Sequence, residues 1–360
     1  MKKIKDNLKN KKVFIGMSGG VDSSVSALLL KKQKYDVTGV FIKVWQPDFI
    51  ECTWKEDRQD AMRICAELEI PFITLDLEKE YKKEVIDSMI IEYKKGKTPN
   101  PDVFCNKEVK FGAFLSWALK NGADFVATGH YAKKDLLNNK LMKAKDKTKD
   151  QSYFLWTLTK KELKKIIFPI GDLLKEDVRK IAIGNNLATA KKKDSQGLCF
   201  IGKIDVKDFL KEFIKVKYGK VLNKETKNKL GEHEGSVFYT IGEKIFGEYV
   251  IVKDLKKNIL YTSKEKLNVS KDYKENKFEI TLEEINFESK LKKGEVYFVA
   301  ERYHAKETEI KILSIKENIK EKSLIFKFDL LNKNQSFVYT SGQSLVFYKK
   351  EYLVGAGIMK

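Results

Sequence analysis

The chain has 360 residues, 42% of them apolar, and a formal net charge of +20 at pH 7. That length supports two or three domains, each with its own core, and the apolar content excludes a disordered or fibrous chain. No apolar run is long enough to span a bilayer. The basic start MKKIKDNLKNKK is followed only by Val13–Ile15 before a glycine turn, too short for a signal-peptide core, so a cytoplasmic protein without a membrane segment is expected.

So positive a charge suits a partner held through its phosphates. Only four of the 71 basic residues are arginine, however (Arg58, Arg63, Arg179 and Arg302), and such a lysine bias also fits an AT-rich genome. Charge alone leaves nucleic-acid binding open. The four cysteines, Cys52, Cys65, Cys105 and Cys199, form no CxxC pair and no zinc-ligand spacing, so no structural metal site is expected. Widely spaced thiols in such a chain are either core residues or catalytic ones.

The first half alternates strand and helix. A strand is predicted over 13–17 and a helix over 22–32. A second strand follows over 36–44, then a helix over 55–67 with Ala61, Ile64, Cys65 and Leu68 on one face. Strand 71–77, helical residues 78–93, helix 106–119 and strand 123–128 continue the alternation. This pattern predicts an α/β domain, a doubly wound parallel sheet with helices on both faces and its ligand site outside the C-terminal strand ends. Beyond residue 210 long helical periodicity stops, and from 277 residues alternate with period two over 277–287, 294–303, 308–315, 323–330 and 344–348. A hairpin tip at Tyr348–Tyr352 leads into 353–358. A small central domain (211–274) and a C-terminal antiparallel β-barrel (275–360) are expected after the catalytic domain (1–210).

Between the first strand and the first helix stands Gly16-Met17-Ser18-Gly19-Gly20-Val21-Asp22-Ser23-Ser24. Glycines let the backbone come close to a phosphate, and open N–H groups at a helix start point toward the anion. The Gly-Lys-Ser/Thr ending of a Walker loop is missing. Asp22 stands where a nucleotide would lie, which suggests a metal ion between its carboxylate and phosphate. The loop resembles that of the ATP pyrophosphatase (PP-loop) superfamily, whose members split ATP into AMP and pyrophosphate. An ordinary Gly-rich turn is the plainer alternative.

Four further blocks bear on chemistry. In Gly96-Lys97-Thr98-Pro99-Asn100-Pro101-Asp102-Val103-Phe104-Cys105-Asn106, two prolines stiffen a loop, with Asn106 a plausible helix cap. A thiol there, beside Lys107 and Lys110, would be acidified; a small core cysteine on a turn is the other reading. In Lys191-Lys192-Lys193-Asp194-Ser195-Gln196-Gly197-Leu198-Cys199-Phe200, a cysteine follows a basic loop, as a sulfur carrier requires, although Leu198 and Phe200 could equally pack it. Strand 123–128 ends in Gly129-His130-Tyr131, and Lys149-Asp150-Gln151 enters an apolar segment.

Together the blocks GMSGGVDSS, TPNPDVFCNKEVKF, ATGHYA, KDQSYFLW, KKKDSQGLCFIG and SGQSLVFY resemble the tRNA-specific 2-thiouridylases over nearly the whole chain. The resemblance implies ATP as cofactor, with Mg2+ accompanying the pyrophosphate, and tRNA as substrate. It implies that Gly16, Met17, Ser18, Gly19, Gly20, Val21, Asp22 and Ser23 hold the ATP phosphates and that Ile42 and Gly129 lie against the nucleotide. Asn100, Pro101 and Asp102 would meet the target base, with Asp102 a catalytic acid/base or orienting group. Cys199 would carry a persulfide and Cys105 act as its catalytic partner, the two left as a disulfide after transfer. His130, Lys149, Asp150, Gln151, Arg302, Tyr303 and Gln343 would contact tRNA. A persulfide donor, a cysteine desulfurase or a relay protein, is implied as partner, and a monomer is expected. The chain departs from the family at Ile241–Glu248, where a longer basic loop is usual. The rival readings are another PP-loop ligase, which needs no pair of loop cysteines, and an RNA-binding module with a degenerate nucleotide site.

Overall fold

A computed structural model describes residues 10–49, 54–193, 205–265, 277–332 and 337–360. The chain divides into two compact units. One comprises 1–86, 101–203 and 351–353; the other comprises 87–100, 204–350 and 354–360.

The first unit is built on strands β1 (Lys12–Gly16), β2 (Asp36–Lys43), β3 (Phe72–Asp76), β4 (Phe125–Ala127) and, after two short strands β5 (Lys133–Lys134) and β6 (Leu141–Met142), β7 (Ile166–Ile167). Among the described residues β3-β2-β1-β4-β7 form a five-stranded sheet, parallel throughout. The chain moves outward from β1 to β3, then returns to lay β4 on the other side of β1. That reversal is a topological switch point, where the loops leaving β1 and β4 part and leave a crevice for ligand.

Alternation along β1 shows both faces covered. Val13 and Ile15 share a core with Val25, Leu28 and Leu30 of helix α1 (Val21–Lys32), Ala61, Ile64 and Cys65 of α2 (Trp54–Glu67), and Val178 and Ala182 of α3 (Lys175–Gly184). Phe14 points the other way and meets the Trp117 ring at 5.6 Å. Cys65 belongs to this core. Its sulfur lies 2.3 Å from where a Cβ on Gly39 would stand, so β2 carries a glycine there, and burial pushes the thiol up to about 11.

The helix expected from Asn106 begins five residues earlier. An α-turn at Pro101–Phe104 runs into a π-helical stretch, Cys105–Phe114, and then an α-turn at Leu115–Lys120. Proline suits the first helical position, where its missing N–H costs nothing. Cys105 therefore lies within a helix, not ahead of one, and Asn106 is not its cap. The wide turn also explains Gly112, since a Cβ there would stand 2.8 Å from the Lys107 carbonyl oxygen.

In the second unit, β8 (Gly219–Asn223), β9 (Lys229–His233), β10 (Lys244–Ile245), β11 (Glu248–Asp254) and β12 (Ile259–Ser263) form one sheet in the order β10-β11-β12-β8-β9. Strands β13 (Lys277–Phe287), β14 (Val296–Ala300), β15 (Thr308–Asn318), β16 (Ser323–Leu330), β17 (Ser344–Lys349) and β18 (Tyr352–Met359) run β13-β16-β15-β14-β17-β18, and β18 pairs back onto β13, closing an antiparallel barrel. Phe326, Phe328, Phe337 and Phe347 fill its interior. Among the described residues no helix is long and apolar enough to cross a membrane.

Candidate nucleotide site

The loop from β1 to α1 is held open by its own side chains. The Ser23 and Ser24 hydroxyls donate to the Gly20 carbonyl at 3.0 and 2.8 Å, and the Ser18 N–H donates to Ser23 Oγ at 3.2 Å. Gly20 precedes α1 and offers no side-chain cap, so the first-turn N–H groups face the crevice without a competing acceptor from that position. Gly19 is in the left-handed region (φ 72°), and a Cβ there would stand 2.3 Å from the Asp57 carbonyl oxygen. No other residue type fits. The loop leaving β4 comes equally close. A Cβ on Gly129 would stand 2.8 Å from the Ser23 nitrogen, so the close approach that Gly129 permits is to the start of α1.

Asp22 projects from the first turn of α1. The Tyr131 hydroxyl donates to its Oδ1 at 2.8 Å, and the Lys175 ammonium donates to Oδ1 and Oδ2 at 2.7 and 2.8 Å. Sequence reading missed both partners. Tyr131 follows the Gly-His pair that it did single out, whereas Lys175 opens α3 and carries no motif around it. A lysine at a helix N-terminus opposes the helix dipole. Asp146 offsets this by accepting the Lys175 N–H at 2.9 Å. Asp146 stays below the usual carboxylate range because hydrogen bonds from Lys175 and Thr148 outweigh burial, the largest single influence.

Ile42 is buried near the end of β2, on the sheet face that carries Gly16 and Phe14. Cys105 is fully buried at the head of the π-helical stretch, and Asn106 donates from Nδ2 to the Asp102 carbonyl at 3.0 Å. Asp102 is half-buried. Asn100 belongs to the other unit, since the division falls between Asn100 and Pro101. Cys199 lies outside the described residues.

Several residues that the resemblance assigns to RNA have partners inside the protein. His130 is buried between Phe111 and Phe168. Its Nδ1 lies 2.8 Å from Thr128 Oγ1 and its Nε2 3.4 Å from the Lys110 ammonium, which can only donate. Nε2 is therefore the acceptor and Nδ1 carries the proton. Burial, then the Lys110 charge, pull this imidazole well below its ordinary pKa of 6.5, so it is neutral. The Asp150 carboxylate accepts from the Ala144 N–H at 2.8 Å and from the Ser152 hydroxyl at 2.8 Å; burial nonetheless raises its pKa. Gln151 Oε1 accepts the Tyr131 N–H at 2.9 Å. In the second unit, Gln343 donates from Nε2 to the Thr98 carbonyl at 2.8 Å, and Thr98 N–H donates to Ser341 O at 2.8 Å, which pins the segment leading to Asn100. Lys149 is half-exposed, Arg302 is exposed, and half-buried Tyr303 holds its ring centroid 3.9 Å from that of His304, the planes tilted by 40°.

A parallel sheet with a glycine-serine phosphate loop at its switch point defines a nucleotide-binding α/β protein. Residues 11–203 match the family model described as the tRNA methyl transferase HUP domain, and residues 207–264 that of its PRC-barrel domain. The chain is 42% identical over 360 residues to the tRNA-specific 2-thiouridylase MnmA of Bacillus subtilis (strain 168), covering 96% of this chain and 94% of the relative. It is 40% identical over 382 residues to that of Lactiplantibacillus plantarum, covering 97% and 95%. Among solved structures it is similar to the U34-tRNA thiolase NcsA from Methanococcus maripaludis, with a TM-score of 0.36 and 20% identity over 58% of this chain and 69% of that one. The chain belongs to the tRNA-specific 2-thiouridylase family.

Proposed function

We propose that this protein is a cytoplasmic, monomeric tRNA uridine 2-sulfurtransferase that uses ATP to thiolate the wobble uridine of Glu-, Gln- and Lys-type tRNAs. The observation that carries the reading is the loop at the switch point, a preformed phosphate cradle with Asp22 fixed by Tyr131 and Lys175. The family models are described by methyl transfer and the curated relatives by thiolation. A loop suited to phosphate, in the same unit as the buried thiol of Cys105, favours thiolation.

The uridine C2 oxygen is a poor leaving group. Adenylating it with ATP makes AMP the leaving group and releases pyrophosphate. N–H groups of Gly19 to Ser23 would stabilise charge on the phosphates, and Lys175 would supply the cation that a Walker loop takes from its own lysine. For Mg2+ the donor set is small. Among the described residues no group of three or more His, Cys, Asp or Glu side chains could hold a metal, so Asp22 would be its protein ligand and phosphate oxygens and water the rest. That is a normal arrangement for Mg2+, which when bound neutralises phosphate charge. Asp102 would orient or deprotonate the base, with Asn100 and Pro101 against it, and Ile42 and Gly129 would bound the nucleotide.

Sulfur would arrive as a persulfide on Cys199, loaded by a desulfurase or a relay protein. Cys105 either attacks that persulfide to release sulfide at C2, or lets the terminal sulfur attack C2 and then closes on Cys199. Both routes end in 2-thiouridine, AMP and a Cys105–Cys199 disulfide, which a dithiol must reduce. Residues 1–210 would form the catalytic domain, 211–274 a central domain and 275–360 an RNA-contacting barrel, where exposed Arg302 and neighbouring Tyr303 are suited to grip phosphate and stack on a base. Lys149 would add a phosphate contact from the first unit.

Replacing Cys199 by serine tests this. Thiolation should vanish while AMP formation and tRNA binding persist. Normal thiolation by Cys199→Ser would remove Cys199 as the carrier.

A further inference from the structure

The two partners of Asp22 are held by one short segment of the chain, Ala144–Ser152. Gln151 grips Tyr131 with two hydrogen bonds, taking the Tyr131 N–H on Oε1 at 2.9 Å and donating its own N–H to the Tyr131 carbonyl at 2.8 Å. Tyr131 then donates its hydroxyl to Asp22 at 2.8 Å. From the other side, Asp146 Oδ2 takes the Lys175 N–H at 2.9 Å, and the Lys175 ammonium meets both Asp22 oxygens. The segment itself is tied together. Thr148 donates its N–H and hydroxyl to Asp146 Oδ1 at 3.0 and 2.7 Å, and Asp150 Oδ1 takes the N–H of Ala144 at 2.8 Å and that of Ser152 at 3.3 Å.

Gln151 spends its carboxamide oxygen on a backbone N–H whose residue touches the phosphate-loop acid. A lysine at a helix start is a local conflict with the dipole, and such conflicts gather where function requires them. We infer that Gln151 and Asp146 are positioning residues of the nucleotide site, acting on Asp22 through Tyr131 and Lys175.

This inference rests on the loop being an ATP site, and the test separates the two. ATP affinity, with Mg2+ present, and affinity for unmodified tRNA transcript are measured on the full chain. Gln151→Ala weakens ATP binding about three- to tenfold, the range for loss of one orienting hydrogen bond. Gln151→Glu keeps the acceptor for Tyr131 while removing the amide donors, and restores ATP affinity. Gln151→Ala added to Tyr131→Phe weakens ATP binding no further than Tyr131→Phe alone, because both act along one path. A purely structural role would show neither the rescue nor the shared path. If Gln151→Ala lowers tRNA affinity and spares ATP, the inference is wrong while the reading of the site stands. It is equally wrong if the losses of Gln151→Ala and Tyr131→Phe multiply. A wild-type chain that binds no ATP overturns the site and the inference with it. Should Gln151→Ala fail to fold, Gln151→Glu decides, since a positioning residue keeps its ATP affinity there and a folded Gln151→Glu chain that loses it overturns the inference.

Discussion

The Lys175 ammonium meets both carboxylate oxygens of Asp22, at 2.7 and 2.8 Å, across 153 positions of sequence. The pair is mostly shielded, with side-chain exposures of 14% for Lys175 and 32% for Asp22, so solvent weakens it less than a surface pair. In the proposed reaction, a cation fixed beside this loop would need no reorganisation when charge develops on the leaving pyrophosphate. Lys175→Met should lower ATP-dependent AMP formation about 100-fold, in the range reported for loss of one preorganised donor. Asp22→Asn combined with it should cost less than the product of the single losses. AMP release in single-turnover assays measures this; a Lys175→Met enzyme at wild-type rate would remove the lysine from the site.

Gly129 is a second point of contact with α1. A methyl group there would press on the Asp22 carbonyl carbon and the Ser23 nitrogen, at 2.9 and 2.8 Å, and backbone cannot rotate aside as a long side chain can. Gly129→Ala should therefore raise the ATP dissociation constant about tenfold or more, with tRNA affinity unchanged. Calorimetric titration with ATP checks it, and unchanged affinity would mean that the two loops slide freely.

His130 makes stability depend on pH. Its folded pKa lies well below 6.5, because of burial and then the Lys110 charge. In the unfolded chain it titrates near about 6.5. Between the two values the unfolded state holds the extra proton. The neutral imidazole's contribution is thus complete above about pH 6.5 and is lost as pH falls through the folded value, with a slope of up to about 1.4 kcal/mol per pH unit. His130→Gln should flatten this acid limb. Urea melts between about pH 5 and 7.5 compare the two proteins, and parallel curves would show that His130 is not the group responsible.

Two buried cysteines should behave differently. Cys65 packs against β2 at Gly39 and its thiol is raised to about 11, so at neutral pH it is protonated and serves the core. Cys65→Ala should keep thiolation activity and lose about 1–3 kcal/mol of stability. Cys105→Ala should keep its fold and lose thiolation. Activity assays beside thermal melts separate these outcomes, and an inactive but well-folded Cys65→Ala would contradict the division of roles.

Much of this was legible in the residues themselves. Strict alternation placed β13 at Lys277–Phe287 and β16 at Ser323–Leu330. The Ser-Gly turn between Val13–Ile15 and Val25–Leu30 reads as a strand-to-helix turn, and it does join β1 to α1. What escaped was local structure too short or too irregular for a period to show. Strand β7 has two residues, Ile166 and Ile167, too few for any alternation to show. The π-helical stretch buries Cys105, Val109 and Phe114, a spacing that matches neither 3.6 nor 2, and the prolines ahead of it read as a stiffened loop. Lys175 and Asp146 escaped for another reason. Each is an ordinary charged residue in an ordinary segment, and only the fold brings them to Asp22 and to each other. Gln343 is assigned to tRNA by the resemblance, and its grip on Thr98, across 245 positions, is visible only in the fold.

The central claim is sulfur transfer to a tRNA uridine at the expense of ATP. Nucleoside mass spectrometry tests it most directly, on unmodified tRNA for Glu, Gln and Lys incubated with the protein, ATP, Mg2+ and a sulfide source. The account predicts a uridine that gains sulfur in place of oxygen, with AMP formed in step and no product when ATP is left out. A folded protein that binds tRNA yet yields neither thiolated uridine nor AMP would contradict it and favour an RNA-binding module with an inert nucleotide loop.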